Sequence, residues 1–300
     1  MRTIVILGNG FDIDLGLNTK FENFISSTHF IKNSFTPLMN DIRENYQKDK
    51  RRWCDIEQIF RDLFINYQNN PSQDLFENIN NSWLMINKAW GIYLPEITEL
   101  DKIKIKKDSC AYKFLEYPKS KSLCYTFNYT SPYYLAGFKD KEEPTPIHGW
   151  FEPREQTNKG LMYRIPNELV IGIDSRAMPV DCNNTELNHI IKKNHPQYRD
   201  NNFIDNLLGS DNIIIFGHAM GITDSDYFYD FFTALKTGIL SHKNIFFVTY
   251  NQKSMLDIEK NLEQMEFPIN ELKQTENKFF SIYTADGQSN PRYNELLTLL

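Results

Sequence analysis

The sequence predicts an α/β protein: a Rossmann-like, open and mostly parallel sheet that carries a large helical insertion after its first strand. Three observations lead to this class. Short apolar runs rich in β-branched residues recur along the chain, and helix-like stretches separate the later runs. The long stretch from 19 to 118 has helical spacing and no convincing strand. Strands that alternate with helices imply right-handed crossovers and therefore a parallel sheet.

The first strand is predicted from Thr3 to Leu7, an apolar run closed by Gly8 and typical of a strand buried on both faces. Further strands are predicted at 122–127, 144–148, 168–173, 212–217, 244–250 and 278–284. Helices are predicted at 198–208, 225–238 and 251–265. We therefore divide the chain into a Rossmann-like nucleotide-binding domain, 1–18 and 119–300, and a helical insertion, 19–118.

Composition excludes several classes of protein. The net charge of −6 disfavours a broad basic surface for duplex DNA. The four cysteines lack the spacing of a zinc ribbon, so no metal site is expected, and they indicate reduced thiols. No run approaches the 18 apolar residues of a membrane span. We expect a cytoplasmic protein that contacts neither membrane nor nucleic acid.

Polar groups follow the first strand in the motif Gly8-Asn9-Gly10-Phe11-Asp12. Glycines at a strand end allow a tight turn and the close approach of a phosphate or ribose. The dinucleotide motif G-x-G-x-x-G would require glycine at 13, where this chain has Ile13. A plain tight turn is the alternative. Asn9 and Asp12 favour a ligand site because open sheets bind ligands at the carboxyl ends of their strands.

Two later strands also end in polar residues. Asn128 follows the second strand, where it either reaches a ligand or caps the helix that starts at Ser131-Pro132. His148 precedes Gly149 at the end of the third, either as a core histidine or as a base that polarises a water molecule.

The fourth motif is Gly217-His218-Ala219-Met220-Gly221, followed by Asp224. It resembles the nucleophile elbow of α/β-hydrolases, but Ala219 stands at the nucleophile position and has no hydroxyl to attack with. Asp224 either caps the next helix or binds a ribose hydroxyl. Because parallel strands end at one edge of the sheet, we predict that all four motifs line one cleft.

Taken in order, these blocks resemble the AbiH family, named for bacteriophage abortive infection. The resemblance runs from Ile4 to about Phe232, and its most specific parts are GNGFD-x-x-x-G-L-x-T and GH-x-x-G-x-TD-x-DYF. Members usually have serine where Ala219 stands, which implies that this serine is not an essential nucleophile. A W-x-D-x-E block, Trp53, Asp55 and Glu57, also resembles the family. Either Trp53 packs while the two carboxylates face solvent or cap a helix, or the block contributes to the site.

A more distant resemblance is to sirtuin-like NAD-handling folds. The matching positions are Gly8 and Gly10, Asn128, His148, and Gly217 to Ala219. Thr130 stands where sirtuins have aspartate, and zinc-binding cysteines are absent, which argues against deacetylation. The resemblance implies that Asn128 and His148 are catalytic, orienting a water molecule and accepting its proton.

The strand ends predict the residues that bind the nucleotide. Asp12 and Asp224 are predicted to bind ribose hydroxyls. The turns that contain Gly8, Asn9, Gly10, Gly217 and His218 are predicted to face phosphates.

The first functional hypothesis is an antiphage NAD or other nucleotide hydrolase that requires no cofactor and takes NAD as its substrate. The alternative is a non-catalytic nucleotide-sensing or signalling module of a defence system, and a housekeeping domain is the third reading. The expected partners are a nucleotide and a phage-derived trigger. A homo-oligomer is left open.

Overall fold

In the part of the chain that the structure describes, six parallel strands form one open sheet. This computed structural model describes residues 1–32, 36–48, 56–98, 103–117, 122–149, 169–177, 187–196, 198 and 200–300. The strands are β1 Thr3–Leu7, β2 Ser122–Thr126, β3 Thr145–Pro146, β4 Asn212–Phe216, β5 Asn244–Thr249 and β6 Lys278–Tyr283. Their order across the sheet is β3-β2-β1-β4-β5-β6. The predicted Rossmann-like class is confirmed.

Register explains why the strand-end motifs meet. Leu7 of β1 pairs with Thr126 of β2 on one side and with Phe216 of β4 on the other. The three central strands therefore end level with one another. Every residue of β1 and β4 is buried, as expected of central strands covered on both faces.

The described residues between β1 and β2 form helices and no strand, as predicted for the insertion. These helices are α1 Asn9–Leu15, α2 Phe21–Ile25, α3 Thr28–Lys32, α4 Pro37–Lys48, α5 Ile56–Asn69, α6 Gln73–Ile97 and α7 Cys110–Glu116. The longest, α6, starts at the N-cap Ser72, whose hydroxyl accepts the N–H of Leu75 at 3.2 Å. No described helix is both long and apolar enough to cross a bilayer.

The later helices alternate with the strands. They are α8 Pro132–Leu135, α9 Phe203–Leu208, α10 Ser225–Lys236, α11 Gln252–Gln264, α12 Ile269–Leu272 and α13 Pro291–Leu297. Helices α9 to α12 share an apolar cluster with one face of the sheet, and α1, α7, α8 and α13 share a cluster with the other face. The predicted helices at 225–238 and 251–265 are thus present, and the one predicted from 198 begins at Phe203.

The predicted strand at 168–173 is wrong for the residues described there. Residues 169–172 form no regular secondary structure and do not join the sheet, and Ile173 forms a single bridge with Ile191. The run is apolar because Leu169, Ile171 and Ile173 pack into the apolar cluster of α2 to α6. A run buried against helices has the same composition as one buried in a sheet.

Candidate functional site

The turn after β1 lies directly against the turn after β4. The N–H of Gly8 donates to the carbonyl of Phe216 at 2.9 Å, and that of Gly10 to the carbonyl of Gly217 at 2.8 Å. A Cβ atom on Gly8 would lie only 2.4 Å from the Cα of His218. Gly217 has a φ of 70°, a left-handed conformation that glycine adopts freely. The glycines therefore allow two turns of the protein to touch, and phosphate binding at their amides stays a prediction.

Asp12 is enclosed beneath the first turn, with only 1% of its surface exposed. Its Oδ1 accepts a hydrogen bond from Asn128 Nδ2 at 2.9 Å, and its Oδ2 accepts one from Thr130 Oγ1 at 2.6 Å. Burial raises the pKa of Asp12 to about 7, against the opposing effect of these two hydrogen bonds. Asp12 thus joins the turn after β1 to the turn after β2, and its contact with ribose stays a prediction.

Asn128 binds the first turn and does not cap the following helix. The N-cap of α8 is Ser131, whereas Asn128 Nδ2 donates to the carbonyl of Gly8 at 2.9 Å and to Asp12. Both amide hydrogens are therefore used inside the protein. The Oδ1 atom is the polar group of this side chain left to orient a water molecule.

Asp224 brings the predicted histidines together. It precedes α10, but its carboxylate makes no capping hydrogen bond. Its Oδ1 lies 3.3 Å from Nε2 of His148, and its Oδ2 lies 3.3 Å from Nε2 of His218. The ring of Phe127 packs against both imidazoles, with centroid distances of 5.1 Å and 4.6 Å.

The two histidines approach Asp224 differently. Nδ1 of His218 accepts the N–H of Met220 at 3.0 Å, so the neutral ring carries its hydrogen on Nε2, towards Asp224. Nε2 of His148 is close to Asp224 but poorly aligned, and it has no hydrogen-bond partner among the described residues. A buried ring nitrogen in this state is available to take part in proton transfer.

Lys192 and Glu57 complete the cluster. Lys192 Nζ donates to Asp224 Oδ1 at 2.6 Å, to Glu57 Oε2 at 2.9 Å and to the carbonyl of Thr223 at 3.2 Å. Only 1% of Lys192 is exposed. Sequence reasoning missed this lysine because it lies in no motif and because a Lys-Lys pair usually indicates a solvated surface.

These charges set the protonation of the site. Burial and the charge of Lys192 lower the pKa of His148, while Asp224 and Glu57 oppose them. Burial alone would raise the pKa of Asp224, but Lys192 and the two imidazoles hold it well below its usual range. At neutral pH the site therefore contains an ionised Asp224 beside a neutral His148.

Of the W-x-D-x-E block, Glu57 reaches the cluster. Trp53 and Asp55 lie outside the described residues. Oε1 of Glu57 accepts the N–H of Gly172 at 2.9 Å, which ties α5 to the apolar segment 169–173.

Asn9 is the predicted residue that points elsewhere. It is exposed, and its Nδ2 donates to the carbonyl of Thr19 at 3.1 Å. It lines a pocket of about 500 Å³ between the N-termini of α2 and α11. The other lining residues are Lys20, Phe21, Glu22, Asn251, Lys253, Ser254 and Asp257.

Among the residues that the structure describes, no group of three or more His, Cys, Asp or Glu side chains is arranged to hold a metal ion. The cluster is instead an arrangement of imidazole, carboxylate and ammonium groups. Such a set is suited to positioning a water molecule and accepting its proton.

Comparison with known families assigns the chain. The family model described as "Bacteriophage abortive infection AbiH" matches residues 4–250, which contain every predicted site residue. The chain belongs to the AbiH family. No curated protein and no solved structure matches it.

Membership of the AbiH family gives the protein a role in phage abortive infection. The more distant similarity to sirtuin-like folds stays a prediction, as do the nucleotide ligand and the catalytic roles of Asn128 and His148.

Proposed function

We propose that this AbiH protein is a nucleotide hydrolase, with NAD as the leading candidate substrate, and that it breaks the bond between the ribose C1′ and the nicotinamide nitrogen. Depletion of NAD throughout the cell would then arrest an infected cell. The observation that carries the proposal is the charge of the buried cluster. Among the residues that the structure describes, two carboxylates, Asp224 and Glu57, pair with one ammonium group, that of Lys192.

The excess of negative charge in this cluster favours cleavage of an N-glycosidic bond over phosphoryl transfer. Cleavage of an N-glycosidic bond passes through an oxocarbenium-like centre, which nearby carboxylates stabilise. Phosphoryl transfer instead uses cations to neutralise phosphate oxygens. The hydrogens of Lys192 are already engaged by Asp224, Glu57 and the Thr223 carbonyl, so this lysine is poorly placed to bind a phosphate.

His148 is assigned as the base. Its lowered pKa keeps the imidazole neutral near pH 7, which is the form that accepts a proton. Water adds to C1′, the bond to the ring nitrogen breaks, and its electron pair returns to the nicotinamide, which leaves neutral. The proton of the attacking water passes to His148 and then to solvent. Asn128 orients the water through Oδ1.

The proposal predicts that His148→Ala and Asn128→Ala each lower nicotinamide release by about 10²–10⁴-fold, because each removes one contact to the same water. The double variant should lose little more than either single variant. Purified protein is incubated with NAD, ATP and other nucleotides, and the products are followed by mass. Thermal melts check folding, since an unmet buried hydrogen bond costs about 1–3 kcal/mol.

The matched control is His242→Gln, which removes an exposed histidine paired with Glu276 at 3.2 Å and should leave turnover unchanged. Full activity in His148→Ala would remove the proposed base for any substrate.

The alternative of a nucleotide-sensing module has one observation in its favour. His148 is only 4% exposed, and the reacting groups are enclosed in the described part of the chain. A protein that binds NAD but releases no nicotinamide, even with a phage trigger supplied, would establish this alternative.

A further inference from the structure

Helix α5 of the insertion reaches into the buried cluster through a chain of charges. We propose that Glu57 and Lys192 are positioning residues of this site, through which α5 fixes Asp224 against His148 and His218. The inference deepens the proposed function and rests on it for any effect on turnover. Its structural claim can be tested without turnover.

Lys192 is the central link. An ammonium group has three hydrogens, and each has an acceptor: Asp224, Glu57 and the carbonyl of Thr223. The lysine has no hydrogen left for a substrate, and it is buried. Its contribution to the site therefore passes through the carboxylates that it holds.

Glu57 is the link to the insertion. Its Oε2 also accepts the hydroxyl of Thr223 at 3.3 Å, next to Asp224 in the chain. One helical turn along α5, Arg61 Nε donates to Oδ1 of the fully buried Asp174 at 2.7 Å. Two charged side chains on one face of α5 thus bind neighbouring residues: Glu57 pairs with Lys192, and Arg61 pairs with Asp174.

In the part of the chain that the structure describes, the ionisable groups around His148 belong to the cluster itself and to two tyrosines. Among the described residues, the ionisable groups that influence His148 or lie beside it are Asp224, Lys192, Glu57, His218, Tyr129 and Tyr227. Burial raises the pKa of both tyrosines well above neutrality, so they stay uncharged. A change of charge at Lys192 or Glu57 should therefore shift the pKa of His148 directly.

The two links act on His148 with opposite sign. The charge of Lys192 lowers the pKa of His148, and that of Glu57 raises it. Lys192→Met should therefore raise the pKa of His148, and Glu57→Gln should lower it. General damage to the packing would have no reason to move the two variants in opposite directions.

The experiment titrates ¹⁵N-histidine-labelled full-length protein by NMR, with the His148 resonance assigned by substitution. The double variant Glu57→Gln/Lys192→Met should shift the pKa upward by less than Lys192→Met alone. If Lys192→Met does not fold, the double variant and Glu57→Gln decide the outcome. In Glu57→Gln the amide oxygen still accepts the N–H of Gly172.

Matched controls remove the same charge one step away. Lys193→Met acts on a half-exposed neighbour paired with Asp226 at 3.4 Å, and Asp62→Asn on an exposed residue of α5. Neither should move the His148 titration. A Glu57→Gln variant without a shift, or shifts of both variants in the same direction, would overturn the inference.

Turnover separates this inference from the proposed function. If the protein hydrolyses NAD, the acidic limb of the rate profile should move to higher pH in Lys192→Met and to lower pH in Glu57→Gln, because neutral His148 is the active form. Opposite NMR shifts in a protein without turnover would support the inference and reject the hydrolase.

Discussion

Two buried aspartates at the carboxyl edge of the sheet have opposite properties. Asp12 faces the neutral donors Asn128 and Thr130, and its pKa is raised by burial to about 7. Asp224 faces the ammonium of Lys192, and its pKa is held well below the usual range in spite of burial. A nearby cation, and not burial alone, therefore decides which of the two carboxylates is charged.

The contrast also separates two tasks. A carboxylate that stays ionised at neutral pH can hold histidines and stabilise a developing positive charge. A carboxyl group that is half protonated near neutrality is suited to joining two turns through hydrogen bonds. We therefore place the proposed hydrolysis at Asp224, and we assign to Asp12 the joining of the turns after β1 and β2.

The largest effect is expected from Asp224→Asn. The amide keeps the shape but loses the charge that holds Lys192 and both histidines. We expect turnover to fall by at least about 10²-fold. We expect the free energy of unfolding to fall by about 3 kcal/mol, the low end for a broken buried pair, because Glu57 remains beside the lysine.

Denaturation in urea at neutral pH measures the stability change. Asp230→Asn, at an exposed position of α10, is the control and should stay within about 0.5 kcal/mol of the unmodified protein. An Asp224→Asn protein with full stability and turnover would show that the cluster does not depend on its charge.

A smaller effect is expected at Asp12, and it depends on pH. Because the folded-state pKa of about 7 lies above the unfolded value near 3.8, the folded state binds more protons between these values. Stability should therefore fall as pH rises through this window and level off above it, with a total of about 4 kcal/mol from this group.

Asp12→Asn should remove this dependence. The side chain stays neutral at every pH, its oxygen still accepts from Asn128, and its amide can donate to the hydroxyl of Thr130. Melting temperatures across the window should be flatter than in the unmodified protein, with the largest gain at the alkaline end. A variant that keeps the original slope would mean that another group titrates there.

The sequence was sufficient for the sheet because its central strands are short apolar runs closed by a turn. Strands β1 and β4 are covered on both faces, so all of their residues are buried and their sequences are continuous apolar runs. The run at 168–173 has the same composition but packs against helices of the insertion, and composition alone does not distinguish the two environments.

The site was predictable where the topology dictates it. His148 and Asp224 follow strands or turns at one edge, so parallel pairing brings them together. Lys192 follows no strand of the sheet. It lies in the cluster because the neighbouring residue Ile191 pairs with Ile173. Glu57 comes from a distant helix, and it was found only as part of a family-like block. Long-range placement of this kind leaves no local pattern in a single sequence.

The smallest expected effect is that of Ala219→Ser, and it sharpens the claim that charge and not a nucleophile defines the Asp224 side. Ala219 is exposed, and its carbonyl accepts Asn261 Nδ2 at 2.7 Å, which ties this turn to α11. A new hydroxyl would enter water, so stability should change by less than about 0.5 kcal/mol. Nicotinamide release should stay within about twofold, since no step needs a hydroxyl there.

Rates are compared at equal protein concentration, with the melting temperature as a check on folding. A large gain in rate, especially one that survives His148→Ala, would reveal a serine-based reaction at the turn after β4 and would end the assignment of chemistry to the charged cluster.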